Sequence, residues 1–159
     1  MIKMEKLRET FAELGFENVK TYINSGNIAF DTKKTPDAKL AERIAEAIKK
    51  EFVLSISTMV RPVDELSDIV SKNPYVGKFE DDRYCHVFFL EKALTPAEEL
   101  LLTEQANDNE FITINGRTVY YMLKISILDS VLGKGFLDRK LKITNTARNW
   151  RTTKTIAEL

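Results

Sequence analysis

Val19–Lys20–Thr21–Tyr22–Ile23–Asn24–Ser25–Gly26–Asn27–Ile28–Ala29–Phe30 is the stretch on which the fold turns. Tyr22, Ile23, Ile28 and Phe30 are β-branched or aromatic, and Asn-Ser-Gly-Asn between them supplies residues that tolerate the positive φ of a tight turn. The stretch predicts a β-hairpin with Gly26 at a φ > 0 position. Before it, Met4, Leu7, Phe11 and Leu14 recur at helical spacing, with charged residues between them. Gly15 follows, the residue that ends a helix in the left-handed conformation without penalty, so Ile2–Leu14 is expected to be a helix.

After the hairpin, a polar linker leads to Pro36 or Asp37, where a second helix begins. Leu40, Ile44, Ala47, Ile48 and Phe52 make its apolar stripe. Val53–Val60 then alternates as a strand does, and Arg61–Pro62 ends it. The order of this half is α-β-β-α-β. Val63–Ser71 predicts a short helix, stopped at Asn73–Pro74, and the stretch from Val76 to Asp82 a surface loop.

The second half repeats the first in outline. Tyr84–Leu90 is a nearly continuous apolar run, which fits a strand buried on both faces. Thr95, Pro96 and Glu98 form a capping box at the start of a helix that ends by Asn107–Asn109. Asn115–Gly116 joins Glu110–Ile114 to Arg117–Met122, a strong hairpin signal. Ile125–Leu132 and Gly135–Leu141 read as one helical region broken near Gly133–Gly135. This half starts β-α-β-β-α, the order of a ferredoxin-like unit. The first half has that order without its opening strand, a central one in such a sheet. Its absence leaves backbone groups unpaired. The expectation is a lost N-terminal segment, or a gap filled by another strand or a partner chain. The predicted fold is therefore α+β, two ferredoxin-like halves with the first missing its opening strand. Residues 1–75 form the first half with its connecting helix and 83–159 the second, in one compact unit.

With 159 residues, 43% hydrophobic and 30% charged, the chain has the composition of a folded globular protein. Its formal net charge is zero, so no global field draws it to nucleic acid or membrane. From Lys134 onward, however, seven basic residues (Lys134, Arg139, Lys140, Lys142, Arg148, Arg151 and Lys154) face only Asp138 and Glu158, a local +5. Cys85 is the sole cysteine, which excludes an intramolecular disulfide and a cysteine-based zinc site. No apolar run approaches the roughly 20 residues of a membrane span, and the first residues lack a signal peptide's apolar core. A cytoplasmic location without membrane contact is expected.

TYINSGNIAF (Thr21–Phe30) followed by a long amphipathic helix, and TARNWRTTKTIAEL (Thr146–Leu159), resemble the bacterial family catalogued as domain of unknown function 1697. The similarity spans essentially the whole chain, including Met4–Leu14, Asn73–Pro74 and the Asn115–Gly116 hairpin. It implies an α+β fold with ferredoxin-like halves and brings no established activity. The family usually begins with another strand and a glycine-containing turn just before the segment matching Ile2–Leu14, which accords with the missing-strand reading.

Cys85 and His86 are adjacent, but neighbours on a strand point to opposite faces and cannot form a nucleophile pair. Cys85 reads as a small buried residue. Glu80–Asp81–Asp82 lacks the oxygen-rich spacing of a cation loop, and no second histidine exists for a transition-metal site. No metal, cofactor or catalytic residue is implied. Asn24, Ser25, Gly26 and Asn27 gather amides, a hydroxyl and backbone N–H groups that can cradle an anion, though a tight turn needs them for geometry alone. Arg148, Asn149 and Trp150 lie in the most basic segment. Thr144 and Thr146 would cap a helix there, and its N-terminus with Arg148, Asn149 and Arg151 would suit a phosphate or carboxylate. The structural alternative makes Trp150 a core anchor and Arg148 half of an ion pair.

The leading functional expectation is a binding module for an anionic ligand (nucleotide, RNA or phosphorylated metabolite) near the C-terminal basic segment. The alternatives are an enzyme acting on a small metabolite and an assembly protein, with a homodimer formed through the incomplete sheet.

Overall fold

The structure is a computed structural model that describes residues 2–22 and 26–159. The chain divides into two compact units, residues 1–66 with 155–159, and residues 67–154.

In the first unit, α1 (Met4–Glu13) leads into a hairpin of β1 (Glu17–Tyr22) and β2 (Asn27–Asp31), followed by α2 (Asp37–Phe52). Gly15 ends the first helix as expected, at φ +91° with its N–H on the Ala12 carbonyl. The hairpin is antiparallel, Thr21 opposite Ile28 and Tyr22 opposite Asn27. A bulge between Glu17 and Lys20 is tied by the Asn18 amide, which donates to Asp31 at 2.7 Å. Leu7 and Phe11 of α1, Phe16, and Leu40, Ile44 and Ile48 of α2 are buried together, with Ile28, Phe30 and Val60 packed against them. Phe16 stacks on Phe30 at 4.3 Å between centroids, and Phe11 meets both edge-on. Burying a side chain of this size contributes roughly 1.5–3 kcal/mol.

The strand expected over Val53–Val60 does not form. Among the described residues the first unit's sheet has two strands, β1 and β2, and no ladder reaches 53–60. The reason is topological. In a ferredoxin-like sheet the last strand pairs only with the first, and here that position is vacant among the described residues. Alternating sequence gives a segment the capacity to be a strand, but a ladder needs a neighbour.

The second unit has its central strand. β3 (Cys85–Leu90), α4 (Pro96–Thr103), β4 (Glu110–Asn115), β5 (Thr118–Leu123), α5 (Phe136–Arg139) and β6 (Asn145–Asn149) follow in chain order. The sheet is antiparallel, in the order β4-β5-β3-β6. That is the ferredoxin-like arrangement. The chain is thus an α+β protein. The capping box at Thr95 and Glu98 is present, both bonds made at 2.9 and 3.2 Å, and Gly116 takes φ +60° in the β4–β5 turn. One face of the sheet (Phe88, Leu90, Val119, Tyr121, Leu123) packs on Leu94, Leu102, Leu132, Leu137 and Ile143. On the other face, the Tyr120 hydroxyl donates to the Ile69 carbonyl at 2.8 Å and the Asn73 amide to the Cys85 sulfur at 3.5 Å. Ile69 lies on α3 (Val63–Ser71), the predicted connecting helix.

Two expectations fail in this unit. Ile125–Leu141 is mostly turns, with only a short 3-10 turn at Ile127–Asp129 and the single turn of α5. The buried Ser130 hydroxyl donates to the Ile127 carbonyl at 2.7 Å and accepts from Gly133 N–H at 3.0 Å, competing with helical bonds. A Cβ at Gly133 would collide with the Ile127 carbonyl oxygen, so the turn is closed to any side chain there. Thr146, expected to cap a helix, instead lies within β6.

Val53 ends α2 at φ +56°, in the left-handed region that a β-branched residue strongly disfavours. Its side chain is 85% exposed, so little packing opposes a change. Val53→Gly is expected to stabilise the fold by about 1 kcal/mol, read as a raised urea midpoint at unchanged slope.

Candidate functional site

The basic C-terminal segment passes from strand to helix without a loop. Asn149 is the last residue of β6, and α6 (Trp150–Ala157) begins at the next. β6 pairs with β3 in a register that sets Arg148 opposite Val87 and Asn149 opposite His86. Alternation then puts Arg148 on the face of Cys85 and Tyr120, and Asn149 on the face of Tyr121. Trp150 is buried, 4% exposed, a core anchor as in the structural alternative.

Asn149 caps the helix. Its side-chain oxygen accepts from Thr152 N–H at 2.9 Å, and the buried Thr153 hydroxyl donates to the Asn149 carbonyl at 2.9 Å. The cap expected from Thr144 or Thr146 thus comes from Asn149, because the strand extends further than its polar sequence suggested. Arg148 is half-buried. Its guanidinium donates to the Thr146 hydroxyl at 2.7 Å and to the Ala147 carbonyl at 2.8 Å. Burial pushes its pKa down from the ordinary value, the mark of a cation held where water solvates it poorly. On the same helix, Lys154 reaches Asp82 at 3.3 Å.

Asn24 and Ser25 lie outside the described residues. Gly26 is exposed at the turn, and the Asn27 amide donates to the Tyr22 carbonyl at 3.1 Å, closing the hairpin. The turn belongs to the first unit and Arg148 to the second. Arg148, Asn149 and Trp150 are together by sequence alone.

Cys85 and His86 point to opposite sheet faces, as expected of strand neighbours. Cys85 is fully buried, and burial pushes its thiol up to about 11, which leaves almost no thiolate at neutral pH. His86 is kept neutral by burial, which lowers its pKa, and its Nδ1 is buried without a hydrogen-bond partner among the described residues. No group of three or more metal-ligating side chains occurs among the described residues.

Sequence reading missed a tightly bonded polar cluster. Glu110, 5% exposed, accepts from the Tyr121 hydroxyl, from Val131 N–H at 2.7 Å and from the Asn107 amide at 2.9 Å. Burial alone would raise its pKa, but these donors outweigh it and hold the carboxyl below its ordinary value. Tyr121 shifts upward through burial and the bond to Glu110, so carboxylate and phenol keep their charge states at neutral pH. The cluster ties β4 and β5 to the turn at 130–133. Its only signal in the sequence is an acidic residue opening an otherwise apolar strand.

The sequence profile of the family described as protein of unknown function (DUF1697) matches residues 1–120. The chain belongs to this family. In overall structure it is similar to a conserved bacterial protein from Streptococcus pneumoniae, with a TM-score of 0.75 and 20% identity, covering 99% of this chain and 88% of that one. At that identity the likeness speaks for the fold alone. No match is found among curated proteins.

Acid should unfold the protein in two stages with opposite chemistry. His86 binds its proton less well when folded, so its contribution is complete above its ordinary pKa of 6.5 and declines as the pH falls below it. Glu110 holds its proton less well when folded, so its contribution is complete above 4.5 and is lost as the pH falls through its lower folded value. Urea unfolding across this range should show His86→Phe flattening the first decline and Glu110→Ala the second. Glu110→Ala should also cost roughly 2–4 kcal/mol at neutral pH, because it strands buried donors.

Proposed function

We propose that this protein is a cytoplasmic binding module for an anionic ligand, received around Arg148 in the C-terminal basic segment. One observation carries the reading: the half-buried Arg148 guanidinium, whose pKa burial pushes down. A cation in poorly solvating surroundings gains more from a bound anion than an exposed lysine does, and a planar guanidinium can meet phosphate or carboxylate through two parallel bonds. The local excess of basic residues from Lys134 onward adds a field of the same sign.

Within the anionic class, a nucleotide or phosphorylated metabolite is favoured over RNA. Sheets that bind RNA stack bases on exposed aromatics. Here Phe88, Phe89, Tyr120 and Tyr121 are all 5% exposed or less. Asn149 is a weaker contributor than its sequence position suggests, since its side-chain oxygen is engaged in capping. Trp150 contributes through packing. A second reading, an assembly protein, is favoured by the two-stranded sheet of the first unit.

A thermal-shift screen of nucleotides, sugar phosphates and single-stranded RNA identifies the anion, because a ligand that prefers the folded chain raises its midpoint. Arg148→Ala should then weaken binding by tenfold or more per folded molecule, while costing about 1 kcal/mol of stability through the lost bonds to Thr146 and Ala147. Arg148→Lys should not restore affinity fully, because lysine lacks the planar fork. Equal affinity in wild type and both variants removes Arg148 from the site.

A further inference from the structure

We propose that β6 is held by an acid-sensitive latch: protonation of His86 parts this edge strand from β3, while the β3–β5 ladder stays closed. The inference does not rest on the anion-binding reading, and its test needs no ligand. Backbone geometry places the ring. The Leu90 N–H bonds the Arg117 carbonyl and the Glu91 N–H the Thr144 carbonyl, each at 2.9 Å. Carried along the two registers, alternate residues of β3 bond alternate neighbours. His86, Phe88 and Leu90 bond β5, whereas Val87 and Phe89 bond β6. His86 and Asn149 are therefore a non-hydrogen-bonded pair, the kind whose side chains lie closest. His86 Nδ1 is buried without a hydrogen-bond partner among the described residues. A neutral ring meets this by carrying its proton on Nε2. An imidazolium must carry one on Nδ1 as well, which seals a charged N–H into the sheet without an acceptor.

The acceptors that the neighbouring elements offer are already engaged. Across β6, the Asn149 side-chain oxygen accepts from Thr152 N–H. Across β5, the Tyr121 hydroxyl donates to Glu110 and accepts from Leu132 N–H at 3.4 Å, and Glu110 holds two further donors. On the 3-10 turn Asp82–Tyr84, which adjoins β3 and β6, Asp82 is paired with Lys154. Arg83 on that turn, and Arg151 and Lys154 on α6, carry the same sign as an imidazolium, and Arg148 lies on the opposite sheet face. The remaining partner is water, admitted when a strand moves. β5 is buried along its length and laddered on both edges, whereas β6 is laddered on one edge and half-buried. Its residues, Asn145 to Asn149, are polar except for Ala147. At the level of His86 no backbone bond crosses to β6, so β6 is the strand that yields.

Amide hydrogen exchange of the wild-type chain, resolved by residue and expressed as protection factors from about pH 7.5 to about pH 5, tests the proposal. The parted state binds a proton that the closed state resists, so opening rises as the pH falls below the ordinary histidine value of 6.5. Protection at Val87, Phe89, Thr146 and Arg148 should fall by about tenfold over this range, while Phe88, Leu90, Val119 and Tyr121 hold theirs. Imidazole nitrogen shifts at neutral pH should show Nε2 protonated and Nδ1 bare. His86→Gln, neutral throughout, should abolish the fall. Asn149→Asp keeps a good capping residue and sets a carboxylate opposite the ring, so protection of the same four amides should hold or rise in acid. Should His86→Gln not fold, the wild-type pattern and Asn149→Asp still decide. Unchanged protection on the β6 side overturns the proposal, as does a fall shared equally by the β5 side. A proton on Nδ1 at neutral pH overturns it too. So does a fall that persists in His86→Gln or is unaltered in Asn149→Asp.

Discussion

A strand at the centre of a sheet must satisfy its backbone on both edges and its side chains on both faces, and β3 is where this protein meets that demand. Its edges are taken by β5 and β6, and its residues from Val87 to Leu90 are buried. Everything else in the second unit answers to it. Leu102 of α4 and Leu137 of α5 cover one face, and the Ile69 carbonyl of α3 meets Tyr120 on the other. The polar sequence Asn145–Asn149 becomes a strand because β3 offers it a ladder, not because its side chains favour one. The first unit has no strand in that role among the described residues. Its cohesion comes from two helices closing over Phe11, Phe16 and Phe30.

Local chemistry was legible wherever it needed no distant partner. Gly15, the Asn115–Gly116 turn and the Thr95 capping box each depend on a few consecutive residues, and each forms as read. Two of the misread segments fail for one reason in opposite directions. Val53–Val60 has strand sequence and no neighbour, while Asn145–Asn149 has a neighbour and little strand sequence. Pairing lies between segments, and a single sequence read by period cannot supply it.

Of the candidate site, the sequence shows the residues and not their mutual arrangement. The basic run and the residues around Arg148 stand out in the sequence, and β6 and α6 do meet there. What the sequence could not give is how the polar groups divide their work. Asn149 and Thr153 serve the helix start, Trp150 the core, and Arg148 partly its own strand. Glu110 and Tyr121 escaped notice altogether, because the turn they hold is joined to them only through space.

The single thiol of Cys85 has a use that follows from its position. It lies fully buried in β3, against the Asn73 amide, and burial keeps it protonated. A thiol reagent reaches it only when the central strand parts from its neighbours. With no other cysteine to blur the signal, the rate of labelling becomes a clock for that opening. The chain therefore carries its own reporter of how often the second unit's sheet comes apart, at the one strand whose loss would dismantle it.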